Sequence, residues 1–94
     1  VAGTGDGFKA LADPTRRKIL ELLAERDRTA GEIASHFEIS GPSVSNHLKI
    51  LKAAGLVSAE RQGQSLVYHL ETTVFQELLQ WCMDVLDVRG KESS

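Results

Sequence analysis

A chain of 94 residues, 41% hydrophobic and 26% charged, is enough for one small domain and too apolar to stay disordered, but it buries only a modest share of its surface unless it gains a partner. No apolar run approaches the ~18 residues that cross a bilayer, and no basic-then-apolar leader opens the chain, so the expectation is a cytoplasmic protein without membrane insertion. Cys82, the single cysteine, excludes an internal disulfide and any CxxC zinc site, and neither metal nor cofactor is expected.

The formal net charge of −2 speaks against a nucleic-acid binder, since most are basic, but the charge is unevenly spread. Residues 40–65 hold Lys49, Lys52 and Arg61 against Glu60 alone, whereas residues 71–94 hold Glu71, Glu77, Asp84, Asp87 and Glu92 against Arg89 and Lys91. One side can therefore face phosphate while the other avoids it.

Residues 1–7 contain Gly3, Gly5 and Gly7 and little to bury. They read as a disordered lead or an expression remnant outside the fold. Phe8 to Ala12 suggest a short first helix that stops at Asp13-Pro14, because the residue before proline is pushed out of the helical region. Asp13 then caps a second helix with Pro14 at its first position and Ile19, Leu20, Leu22 and Leu23 as its apolar stripe. Arg16 and Arg17 read as a solvated face or as DNA-backbone contacts.

Arg26-Asp27-Arg28 reads as a polar break. Thr29 and Glu32 form a capping box that opens a third helix, with Ile33, Ala34 and Phe37 inward and His36 outward. A tight turn at 38–41 leads into a fourth helix, which carries an apolar seam at Val44, Leu48 and Leu51 and ends at Gly55. The third and fourth helices form a helix-turn-helix. Residues 56–62 and 65–70 predict two strands across Gly63-Gln64, with Val57, Ala59, Leu66, Tyr68 and Leu70 toward the core and Arg61, Gln62, Gln64 and Ser65 at the exposed tip. A last helix starts at Thr73 in a second capping-box pattern. Its apolar residues, from Val74 to Val88, are too many for one stripe, so a second face requires cover, which a second subunit would supply.

Three stretches in this order, Phe8 to Leu20, Ser43-Val44-Ser45-Asn46-His47-Leu48-Lys49-Ile50-Leu51, and Ala54-Gly55-Leu56-Val57, resemble the ArsR family of bacterial winged helix-turn-helix repressors over about residues 8–88. Among its branches the chain is most similar to the metal-independent autorepressors. The resemblance implies a mainly α fold with a small β-hairpin, ordered α-α-α-α-β-β-α, in which 8–88 is the DNA-binding and dimerisation domain and 89–94 a flexible tail. It further implies a homodimer joined by the first and last helices, here through Phe8, Leu11, Phe75, Leu78, Leu79, Trp81, Cys82, Val85 and Leu86, repressing from an inverted repeat in its own operator. The family's groove-reading positions fall on Ser43, Ser45 and Asn46, with Pro42, His47 and Lys49 nearby, and its wing contacts on Arg61, Gln62 and Gln64. The cysteine pair of the metal-sensing branches is missing between Glu32 and Phe37, and the last helix has no histidine. Any release signal is thus expected through the dimer or a regulatory protein partner.

At about 100° per residue, Asn46, Lys49 and Pro42 lie nearly opposite the seam of the fourth helix. Asn46 can bond N6 and N7 of adenine, and Ser43 and Ser45 can bond bases or phosphates. Ser40 and Ser43 are equally suited to capping, and His47 to holding a backbone carbonyl or donating to a phosphate. Lys49 reads as a phosphate contact, Lys52 as solvated, and Arg61 as a minor-groove or phosphate contact. No nucleophile is paired with a base, so the chain does not read as an enzyme. A protein-interaction module without DNA binding is the alternative, favoured by the acidic balance.

Overall fold

The computed structural model describes residues 2–93, in the order α1 (Ala2–Leu11), α2 (Pro14–Glu25), β1 (Arg28–Thr29), α3 (Ala30–Ala34), α4 (Gly41–Ala53), β2 (Val57–Gln62), β3 (Ser65–Leu70) and α5 (Thr73–Ser93). Local chemistry fixes the helix ends. Asp13 Oδ1 accepts from the amides of Thr15 at 2.8 Å and Arg16 at 3.1 Å, and the Arg16 amide foremost holds the Asp13 carboxyl below the usual carboxylate range. Thr29 and Glu32 close the expected capping box in both directions; the bond from the Thr29 amide likewise lowers the Glu32 carboxyl.

The core is built from one face of each element: Ile19, Leu20 and Leu23 of α2, Ile33 of α3, Val44, Leu48 and Leu51 of α4, then Leu56, Val57 and Leu78. Each large aliphatic side chain taken out of water in this way contributes roughly 1.5–3 kcal/mol. Seated against this core, α4 is held by its seam and keeps its opposite face in solvent.

β2 and β3 pair antiparallel from Val57↔Leu70 to Gln62↔Ser65, leaving only Gly63 and Gln64 as the loop. Gly63 has φ +64° and Gln64 is not left-handed, as in a type II′ hairpin turn. A third strand, β1, adds to the other edge of β3 through Arg28↔Tyr68 and Thr29↔Val67. It is absent from the sequence reading because two residues carry no period. Arg28, expected in a polar break, is 7% exposed: its Nε donates to the Leu22 carbonyl at 3.0 Å and its Nη2 meets Glu25 at 2.7 Å.

The first and last helices run further than expected. Residues 2–7, anticipated as a disordered lead, belong to α1, because Gly7 lets that helix lie close on α5: a Cβ there would sit 3.1 Å from Leu78 and 3.2 Å from Val74. Residues 89–93, anticipated as a flexible tail, continue α5 without a break at Gly90; Val1 and Ser94 lie outside the described residues. Thr73 is the first helical residue of α5 rather than its cap.

Leu78, expected at a subunit interface, is 4% exposed and completes the core of its own chain. Phe75 and Leu11 are half-buried against the same core. Beyond Leu78 the apolar residues of α5 lie open, with Leu79 60%, Trp81 53%, Val85 47% and Leu86 68% exposed. Cys82 is half-buried, and Phe8 packs edge-on against Trp81 with ring centroids 5.4 Å apart.

Candidate nucleic-acid interface

The surface begins at the turn between α3 and α4. Ser40 Oγ accepts from the Ser43 amide at 3.2 Å, capping α4, and donates to Ser43 Oγ at 2.9 Å. The alternatives left open by the sequence therefore divide: Ser40 is the cap, and Ser43 keeps its own hydroxyl hydrogen for another acceptor. The far end of α4 closes in a Schellman motif, with the Leu56 amide on the Leu51 carbonyl and the Gly55 amide on Lys52, each at 3.0 Å, and Gly55 at φ +78°.

Between those caps, Pro42, Ser43, Ser45, Asn46 and Lys49 are exposed, while Val44, Leu48 and Leu51 are buried. Among the described residues no side-chain hydrogen bond or ion pair engages Ser45, Asn46 or Lys49, so their donors and acceptors remain available to a ligand. His47 is half-buried, and its Nδ1 lies 3.3 Å from Arg16 Nη1 rather than against a backbone carbonyl. Lys52 is exposed.

Arg61, Gln62 and Gln64 are exposed at the hairpin tip. Arg61 and Gln64 also line an open cleft of about 420 Å³ whose other wall is Thr29, Ala30 and Gly31. The wing and the start of α3 thus share a concavity, which Asn46 and its neighbours do not line.

Arg16 is half-buried rather than on a solvated face, and Arg17 is exposed, but both also bond within the chain. Arg16 Nε and Nη2 donate to the Ala10 and Lys9 carbonyls at 2.7 and 3.2 Å, and Arg17 Nη1 to the Leu11 carbonyl at 2.7 Å. The two arginines satisfy the carbonyls that the end of α1 leaves open. A helix stopping two residues before a capped proline, with arginines in the next turn, was the available signal.

A small polar helix face beside a basic hairpin tip is the form of a winged helix-turn-helix domain. Residues 13–59 match the family model described as bacterial regulatory protein, arsR family. The chain is 54% identical over 80 residues to the transcriptional repressor SdpR of Bacillus subtilis, covering 85% of this chain and 89% of that protein. Its fold is similar to the crystal structure of an ArsR family transcriptional regulator, with TM-score 0.89, 28% identity and coverage of 95% and 92% of the two chains. It is also similar to the solution structure of the homodimeric winged helix-turn-helix DNA-binding domain of Mb0332 from Mycobacterium bovis, with TM-score 0.71, 28% identity and coverage of 97% and 82%. The chain belongs to the arsR family of bacterial regulatory proteins. It is a winged-helix DNA-binding transcriptional regulator.

Proposed function

We propose that this regulator is a repressor that works as a homodimer in the cytoplasm, placing α4 of each subunit in the major groove of an inverted repeat in its own operator and gripping the flanks with the β2–β3 wing. The observation that carries this reading is the α4 face of Pro42, Ser45, Asn46 and Lys49, exposed along the helix and, at Ser45, Asn46 and Lys49, free of internal partners among the described residues. A helix of that profile fits a groove about 12 Å wide, and asparagine is suited to the N6/N7 edge of adenine. Ser43 and His47 flank the reading face, and Arg61, Gln62 and Gln64 are set for phosphate or minor-groove contact. The repressor role rests on the likeness to SdpR and the dimer on the likeness to the Mb0332 domain.

Metal-independent action is our reading of the sequence, in which Cys82 is the single cysteine and α5 carries no histidine.

Asn46→Ala should lose binding to the operator fragment, defined by sequencing the genomic DNA the protein captures, while the dimer persists in sedimentation. Unchanged operator affinity in a mobility-shift assay would sink the assignment of Asn46. Failure of the native protein to bind any duplex at low salt would instead favour the interaction module.

A further inference from the structure

All three arms of the Arg16 guanidinium are engaged, and one of them reaches the recognition helix. Nε and Nη2 grip the Ala10 and Lys9 carbonyls at the end of α1, which leaves Nη1 3.3 Å from His47 Nδ1. A guanidinium only donates and does not lose its proton. Nδ1 must therefore present its lone pair, and a neutral imidazole that accepts at Nδ1 carries its hydrogen on Nε2. Asp13 makes no hydrogen bond to the ring, its Oδ1 accepting from the Thr15 and Arg16 amides, although its charge lies close enough to His47 for the two to interact.

On α4, His47 is one turn beyond Ser43 and beside Asn46, half-buried at the border between the core seam and the exposed face. Its Nε2 is not among the buried side-chain atoms that lack a partner. When a helix lies in the major groove, a residue on the flank of its reading face meets the groove wall, which is phosphate.

We propose that Arg16 is a positioning residue for DNA recognition: without touching DNA, it orients the His47 ring and fixes its tautomer so that Nε2–H donates to a backbone phosphate oxygen. This rests on the reading that α4 occupies the groove. It assigns Arg16 two tasks with one side chain, terminating α1 and setting the donor on α4.

The test is a double-mutant cycle on the full chain, read as affinity for a mixed-sequence duplex at low salt, since a phosphate contact is independent of sequence. Arg16→Met and His47→Ala should each weaken binding about a hundredfold, the scale of one hydrogen bond to a charged group lost in each of two subunits, and the double variant should lose no more than either. His47→Gln carries its own amide donor, so it should bind well and be insensitive to Arg16→Met. Losses that multiply in the double variant, or single variants that bind as the native protein does, would overturn the proposal. A ring measurement covers the case in which Arg16→Met fails to fold. Long-range ¹⁵N–¹H correlation on the native chain should show His47 protonated at Nε2 and bare at Nδ1, and a hydrogen on Nδ1 overturns the proposal without any variant. A native chain that binds no duplex would overturn the groove reading and the phosphate contact together, whereas the tautomer result would still separate the Arg16–His47 link from that failure.

Discussion

His69 Nδ1 lies 2.7 Å from Asp27 Oδ2, and its Nε2 3.5 Å from Glu60 Oε2. The hydrogen bond to Asp27 raises the His69 pKa above its ordinary value; burial opposes it, and the charges of Asp27, Glu60 and Glu71 add to the rise. The imidazolium therefore ties the α2–β1 turn to both wing strands. A raised folded-state pKa places the stabilisation fully below the unfolded value of about 6.5 and removes it as pH rises through the folded value. The unfolding midpoint of the native protein should fall between about pH 6.5 and the raised folded value, and Asp27→Asn should flatten that fall. Equal pH slopes for the two proteins would show that the clamp contributes nothing. None of this was legible in the sequence: Asp27 and His69 are 42 positions apart and meet only because β1 adds to β3. The exposed face of α4 was legible, because a helix period sorts Val44, Leu48 and Leu51 from Asn46 and Lys49 without knowledge of any partner.

Among the elements, the ends of α4 and the wing turn depend on glycine for different reasons. At Gly55, φ is +78° and a Cβ would approach Val74 Cγ2 to 3.0 Å; at Gly63, φ is +64° with nothing within 4 Å. Backbone strain acts at both sites, but collision acts only at the first. Gly63→Ala should cost about 1–3 kcal/mol from backbone strain alone, and Gly55→Ala distinctly more. Chemical denaturation checks this order, and equal costs would mean that the Val74 contact relaxes freely. Ser40→Ala removes the α4 cap and should cost ~1 kcal/mol in the same experiment. Most elements were legible from such punctuation: Asp13-Pro14, Thr29 with Glu32, and Gly63-Gln64 each mark a boundary by their own chemistry. β1 was not, because a strand of two residues is defined by its partner, and the length of α1 was not, because what admits Gly7 to a helix is its contact with α5.

For the whole molecule, the decisive feature is where α5 stops being part of its own domain. Leu78 is buried, yet Leu79, Trp81, Met83, Val85, Leu86 and Val88 are between 47% and 68% exposed. The sequence spacing sets Phe75, Leu79, Cys82 and Leu86 along one seam and Leu78, Trp81, Val85 and Val88 along its neighbour, a stripe wide enough for a partner helix. A second copy offers the same stripe, and a two-fold axis makes each contact count twice. Two substitutions separate the chain's own core from the interface. Leu78→Ala should destabilise each subunit by about 2–5 kcal/mol and lower the unfolding midpoint. Leu86→Glu should leave the subunit folded but weaken the dimer by more than about a hundredfold, the loss of two buried leucines, so that sedimentation at micromolar concentration shows monomer. DNA binding then reports the same division. A dimer neutralises phosphates at two half-sites about 34 Å apart, so its logarithmic salt slope should be about twice that of the Leu86→Glu monomer. An unchanged slope, with the monomer shown by sedimentation, would mean that a single α4 and wing carry all the phosphate contacts and that the second subunit contributes none.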